Sequence, residues 1–397
     1  MRLFKEAALP LAFVSAVPPG HDGGASLPRG VIPVPLTRII NQTGYGMQFQ
    51  VGNPPQKATL EIDTGSDTIG FISPRSNLCL REDAPCNKLG TYDNSTSSTA
   101  EVAFPAWGYP DYSSGLISMG TGIFVNDTVR FGDVSLDNLT FGSTDNFNLS
   151  VALLKAHEAS GIMGLSALCF GRDCSIYPTL VQQLADRKVL KTRAFSIYLG
   201  PEEPDAVGHL LLGGIDKAKQ GDHLFTIPVN RPWTVEYSSF TVNYPGPKPG
   251  KVFPIGPGNE TDWDTGAAFW GLPSAVFDAI ADVFGIPASV RSQSNGPFRV
   301  DCRHRNVVDT TLEVGFPGNA TIAIPLGRLV TKIGPQHCVT FILPGIGGGG
   351  TAEVATNFGA PFLRNVYATF NLDDLTVSFS QVKYTDKQDI VAIAPPS

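Results

Sequence analysis

The stretch KATLEIDTGS (57–66) has a counterpart in the second half of the chain, NETDWDTGA (259–267). Asp63-Thr64-Gly65-Ser66 thus recurs as Asp264-Thr265-Gly266-Ala267. One Asp-Thr-Gly triplet means nothing, because tripeptides arise by chance. Each copy here is followed, in its own half, by a glycine-terminated apolar segment. These are Ile162-Met163-Gly164 and, less regularly, Asn357-Phe358-Gly359. That pattern predicts two related halves that face one another.

Two such aspartates have a chemistry that one lacks. Carboxyl groups held within hydrogen-bond reach cannot both ionise cheaply, so the pair keeps a single shared proton. One member then takes a proton from a bound water while the other protonates a substrate carbonyl. Gly65 and Gly266 permit a tight turn that brings backbone N–H groups to the carboxylates. Thr64 and Thr265 are expected to cross-link the loops, and Ser66 to bond the outer oxygen of Asp63. Ala267 has no hydroxyl for Asp264, which predicts an asymmetric pair.

The rest of the chain suits two mainly β lobes. Its 397 residues suggest two domains, and a net charge of −7 excludes a basic face for nucleic acid. With 42 Gly, 32 Pro and 42% hydrophobic residues, the composition is turn-rich yet apolar enough to fold. Short β-type runs recur, among them GYGMQFQVG (44–52), RAFSIYLG (193–200), HLLLGGI (209–215) and LTVSFSQV (375–382). Helices are expected only at 178–190 and 273–284, each opening on proline. The polar, Pro-rich GPEEPDAVGH (200–209) marks the boundary between lobes.

Compartment is read from the N-terminus, the cysteines and the sequons. Residues 1–16 have a basic start, a short apolar run and a small-residue end, as a secretory signal does. No later stretch reaches the roughly 18 apolar residues of a membrane span. Six cysteines allow many pairings. The expectation is three sequential disulfides, Cys79–Cys86, Cys169–Cys174 and Cys302–Cys338, formed in an oxidising compartment. Sequons at Asn41, Asn94, Asn126, Asn138, Asn148 and Asn319 are candidates for glycosylation. A seventh, Asn259, lies too close to the second Asp-Thr-Gly if its strand is buried. Neither metal-ligand spacing nor a serine or cysteine nucleophile motif is present.

From about Thr37 to Val382 the chain resembles the pepsin-like (A1) aspartic endopeptidases of the fungal secreted kind. The matching motifs run in family order. They include GNPPQKATLEIDTGS (52–66), GTYDNSTSSTA (90–100), GIFVNDTVRFG (122–132), ASGIMGLS (159–166), GHLLLGGIDKAKQGD (208–222) and GAPFLRNVYATFNLDD (359–374). The resemblance implies a mainly β, bilobed acid protease fold. Two pseudo-twofold-related, β-barrel-like lobes with few short helices would flank a central cleft. The implied division is a signal peptide (1–16), a short pro-segment or extension (17–36), an N-terminal lobe (37–200), a C-terminal lobe (201–385) and a tail (386–397). Asp63 and Asp264 would be the catalytic pair, supported by Thr64, Gly65, Ser66, Thr265, Gly266 and Ala267. The implied enzyme is a secreted or vacuolar monomer that cuts extended peptides or unfolded proteins below about pH 6. It would need no metal, cofactor, nucleic acid or membrane anchor.

Several positions depart from the family pattern. Gly70 stands where the family has a tryptophan that bonds the flap tyrosine, and the flap region (104–124) is longer than usual. Tyr112 is the candidate flap tyrosine, with Tyr109 the alternative. Asp262 puts an acid just before the second catalytic loop, either as a solvated loop residue or as a charge that perturbs the pair. Phe269 and Trp270 are candidates for substrate pockets. These departures keep a second function in view, a catalytically silent pepsin-fold protein that binds a peptide or another protein.

Overall fold

Alternation in IPVPLTRI puts Ile32, Val34 and Leu36 on one face, and the segment forms strand β1 (Ile32–Ile39) with that face buried. The computed structural model of the protein describes residues 27–39, 44–84, 86–108, 118–148, 159–166, 179–203, 206–231, 233–247, 249–291, 297–345 and 357–395. The seven strands that follow are β2 (Gly44–Val51), β3 (Gln56–Asp63), β4 (Ile69–Ile72), β5 (Glu101–Gly108), β6 (Ser118–Phe131), β7 (Val134–Asn148) and β8 (Gly161–Gly164). They run in the order β2-β3-β8-β4-β7-β6-β5, and β6 pairs back onto β2 to close a barrel. Its interior is aromatic. Phe71 meets Phe141 at 4.9 Å between ring centroids, and Phe49 meets Phe131 at 5.5 Å.

A shared antiparallel sheet joins the halves. Strands β9 (Ala194–Tyr198) and β10 (Gly208–Leu212) lie between β1 on one side and Val366–Asn371, Thr376–Gln381 and Phe225–Pro228 on the other. The second half adds a four-stranded sheet, Lys251–Pro254, Ser239–Asn243, Thr311–Phe316 and Ala320–Pro325. It also holds a three-stranded sheet, Phe298–Val300, His337–Thr340 and Val330–Gly334, and several two-stranded pairings. Trp263, Trp270, Phe316, Phe358, Phe362 and Phe379 pack into one aromatic cluster, with Phe358 and Phe362 only 4.5 Å apart. The molecule is mainly β, with the duplicated architecture that the repeat implied.

The local expectations fare unevenly. The helix expected at 273–284 forms as Ser274–Val283, with Pro273 as the N-cap rather than the first helical residue. Of the helix expected at 178–190, Leu180–Asp186 is helical among the described residues. Thr179 caps it by accepting from the Gln182 N–H, and Lys188 takes a φ of 59°. The disulfides Cys79–Cys86 and Cys302–Cys338 form as paired in order, while Cys169 and Cys174 lie outside the described residues. The lobe boundary drawn at Thr37 falls inside β1, and the tail contributes Ile390–Ala392 as a partner to Gly214–Asp216. Asn138 and Asn319 are exposed at positive φ, whereas Asn94 and Asn126 are half-buried. Asn41 and the side chain of Asn148 lie outside the described residues. Among the described residues, no helix is long and apolar enough to cross a membrane.

The halves are also held by a buried ionic clasp. Glu202, in the connection between β9 and β10, meets the guanidinium of Arg38 on β1 at 3.3 Å and that of Arg364 beyond the Ala360–Leu363 helix. Side-chain exposure is 3% for Arg38 and 2% for Arg364, so neither charge has water to replace its partner. Beside this clasp, β10 carries His209, its ring tilted against Tyr198 at 5.2 Å between centroids and 3.9 Å from Asp216. Burial, reinforced by the charge of Lys219, pulls the His209 imidazole down from 6.5 to about 4.

Two outcomes follow from these groups. Replacing Glu202 by alanine removes the carboxylate that two buried cations share and should lower unfolding free energy by about 3–5 kcal/mol, read from the urea midpoint. For His209 the unfolded chain binds a proton between pH 6.5 and about 4 that the folded chain does not, so stability falls as pH drops through that window. A His209→Gln variant should lose less stability over the same range, by up to about 3 kcal/mol, in pH-dependent unfolding curves.

Candidate active site

β3 delivers Asp63 at its last residue, where it pairs in parallel with β8, Asp63 opposite Gly164. The Leu165 N–H donates to the Asp63 carbonyl at 2.8 Å, which fixes the strand end from beneath. The second half repeats the device. Phe358 pairs in parallel with Trp263, and the Asp264 N–H donates to the Phe358 carbonyl at 3.2 Å. Both aspartates therefore leave the ends of strands held by the glycine-terminated segments noted in the sequence.

The turns that follow are interlocked across the halves. The Thr64 N–H donates to Thr265 Oγ1 at 3.0 Å, and the Thr265 N–H donates to Thr64 Oγ1 at 2.9 Å. Each hydroxyl then donates across to the opposite strand end, Thr64 to the Trp263 carbonyl at 2.6 Å and Thr265 to the Ile62 carbonyl at 2.9 Å. Both threonines are buried, so each hydroxyl spends its donor and an acceptor on the other half. Loss of either would leave buried backbone groups unpaired, at about 1–3 kcal/mol each.

The glycines show how close the carboxyls come. A Cβ at Gly65 would sit 2.6 Å from the Cγ of Asp264, and one at Gly266 would sit 2.6 Å from Oδ1 of Asp63. Each loop therefore lacks a side chain where the carboxyl of the other half lies. The same glycines hold their own aspartates. The Gly65 N–H donates to Asp63 Oδ1 at 2.8 Å, and the Gly266 N–H to Asp264 Oδ1 at 2.9 Å.

Electrostatics set the pair apart from ordinary surface acids. Burial pushes the Asp264 carboxyl well above the usual carboxylate range, and the charge and hydrogen bond of Asp63 push it further. The Gly266 N–H opposes the shift, and the charge of Glu61 adds to it. Glu61 is 4% exposed and lies two residues before Asp63 on the same face of β3. Sequence reasoning missed it. An acid inside the otherwise apolar approach LEID was the available signal.

Asp262, which attracted attention instead, is the counterpart of Glu61 in the second half. It lies on the short strand Glu260–Asp262, exposed, and accepts from Thr234 Oγ1 at 2.7 Å. Exposed and bonded to Thr234, it has the environment of a solvated loop acid. That strand, paired with Thr234–Glu236, is buried on one face only, with Thr261 inside and Glu260 and Asp262 exposed. Ser66 also differs from expectation. Its hydroxyl is buried but bonds neither Asp63 nor any other described residue. Trp270 is fully buried in the aromatic cluster, while Phe269 stays half-exposed against Phe341 at 5.7 Å.

Gly70 lies in β4 between Ile162 of β8 and Gly142 of β7. Tyr109 and Tyr112 lie outside the described residues, between β5 and β6. Ala267 turns its N–H back to the Asp264 carbonyl at 3.2 Å. Among the described residues, no group of three or more His, Cys, Asp or Glu is arranged to hold a metal ion.

This geometry can be set beside known proteins. Residues 44–382 match the family model described as eukaryotic aspartyl protease. Candidapepsin-3 of Candida albicans is 26% identical over 372 residues, covering 91% of this chain and 85% of the relative. Candidapepsin of Candida tropicalis is 25% identical, covering 91% and 84%. The probable aspartic-type endopeptidase opsB of Aspergillus oryzae is 25% identical, covering 88% and 70%. Because the family match takes in both Asp-Thr-Gly loops and both strands that brace them, the chain belongs to the eukaryotic aspartyl proteases, as an aspartic-type endopeptidase.

Proposed function

We propose that Asp63 and Asp264 are the catalytic pair of a secreted endopeptidase that cleaves extended peptides and unfolded proteins at acidic pH. The observation that carries this reading is the reciprocal fit of each loop glycine against the carboxyl of the other half, locked by the threonine lattice. Carboxyls so placed share one proton, the arrangement for which aspartic proteases are the standard example. Burial and the neighbouring Asp63 raise the Asp264 carboxyl, so the pair keeps a proton at acidic pH.

In the reaction Asp63 takes a proton from a water as the water oxygen attacks the scissile carbonyl carbon, and Asp264 gives its proton to the carbonyl oxygen. The resulting gem-diol collapses as the C–N bond breaks, the amine nitrogen taking the proton held by Asp63 and a diol hydroxyl returning one to Asp264. No acyl-enzyme forms. Relatives described as secreted aspartic proteases support export of this chain, as do the two disulfides among the described residues. Among the described residues both carboxyls, both threonines and both glycines are in place, which supports the active reading over the catalytically silent alternative.

A peptide-library digest read by mass spectrometry tests the assignment. Cleavage should be greatest below about pH 6 and should fall as pH rises and the shared proton leaves. Asp63→Asn and Asp264→Asn should each lower kcat about a thousandfold or more. Activity retained by folded Asp264→Asn protein would remove the mechanism.

A further inference from the structure

The second half departs from the first at two positions around its carboxyl. Ser66 stands three residues after Asp63, but Ala267 holds the matching place after Asp264. Ile162 stands two residues before Gly164, but Asn357 holds the matching place before Gly359. The backbone is pinned on both sides of Phe358, whose N–H donates to the Asp262 carbonyl at 2.9 Å and whose carbonyl accepts from the Asp264 N–H. That pinning fixes the residue just before it. Asn357 Nδ2 donates to Asp264 Oδ2 at 3.4 Å. Because Oδ1 already accepts the Gly266 N–H, Oδ2 is the outer oxygen.

We propose that Asn357 is a positioning residue of this site, its amide holding the outer oxygen of Asp264 from the segment that braces the second loop. The proposal rests on the reading of Asp63 and Asp264 as the reacting pair. An amide suits the task because it offers an N–H to an ionised carboxylate and a carbonyl to a protonated one. Asp63 and Glu61, both acids from the first half, raise the Asp264 carboxyl by their charge. On its own approach strand, Asp262 is exposed and bonded to Thr234. The segment 357–359 carries no charge. Against those acids, the Gly266 N–H and the Asn357 amide favour the ionised form of Asp264, so removing the amide raises the pH at which Asp264 titrates.

The test compares Asn357→Leu, which supplies an apolar side chain of similar size, with Asn357→Gln, which keeps the amide. The first readout is kcat and KM on a fluorogenic peptide, with active enzyme counted by a statine-type inhibitor. The second is the 13C-carboxyl titration of Asp264, assigned against Asp264→Asn. Asn357→Leu should lower kcat about fivefold to tenfold, leave KM within about twofold, and move the Asp264 titration up by about half a pH unit. Asn357→Gln should recover most of both effects. An Asn357→Leu protein with unchanged kcat and titration overturns the proposal. So do Leu and Gln variants that fall equally, because the side chain would then only fill space. The carboxyl titration needs no turnover. Wild-type protein that cut no peptide would sink the catalytic reading, while the Asn357→Leu spectrum would still decide whether the amide holds Asp264.

Discussion

Two carboxyl groups repel once both are charged, and a fold that brings them together must hold them there against that repulsion. In this chain the hold is the threonine lattice. Thr64 and Thr265 exchange backbone and hydroxyl hydrogen bonds across the pseudo-twofold axis, and each also ties the strand end of the opposite half. All four bonds are buried, so water cannot substitute for any of them. The interlock explains why the loops need glycine next, since the carboxyl of one half occupies the space where the other would place a side chain.

Beyond the loops, the same alignment depends on the shared sheet and its clasp. β9 and β10 run between strands of both halves, and Glu202 in their connection reaches a buried arginine from each. The sheet sets the distance between halves through backbone bonds, and the clasp adds charge at a place where water is excluded. A shift of one half against the other would break both together. The carboxyls therefore inherit their spacing from strands remote in sequence from either aspartate.

Much of this was legible in the chain because it rests on repetition and on residue types with few uses. Paired Asp-Thr-Gly motifs with their glycine-terminated partners pointed to the interlocked loops, and the Pro-Gly bracketed run at 273–285 pointed to the Ser274–Val283 helix. What was not legible depends on which way a side chain turns. Glu61 and Asp262 occupy matching places, yet one is buried beside the pair and the other faces solvent. Burial of Trp270, the idle hydroxyl of Ser66 and the aim of Asn357 all follow from packing between segments far apart in sequence. Periodicity also overran the helix at 178–190, because it does not register the positive φ taken up by Lys188.

Strand β1 has a consequence for how the N-terminus can be trimmed. Residues Ile32–Leu36 lie against β10, and Thr37–Ile39 turn to β2, so one short strand is stitched to the seam and to the barrel. A maturation cut upstream of Ile32 would leave that stitching whole. A cut at Thr37 would unstitch the seam strand while leaving both Asp-Thr-Gly loops untouched, and the damage would reach them only through the loosened register of the halves.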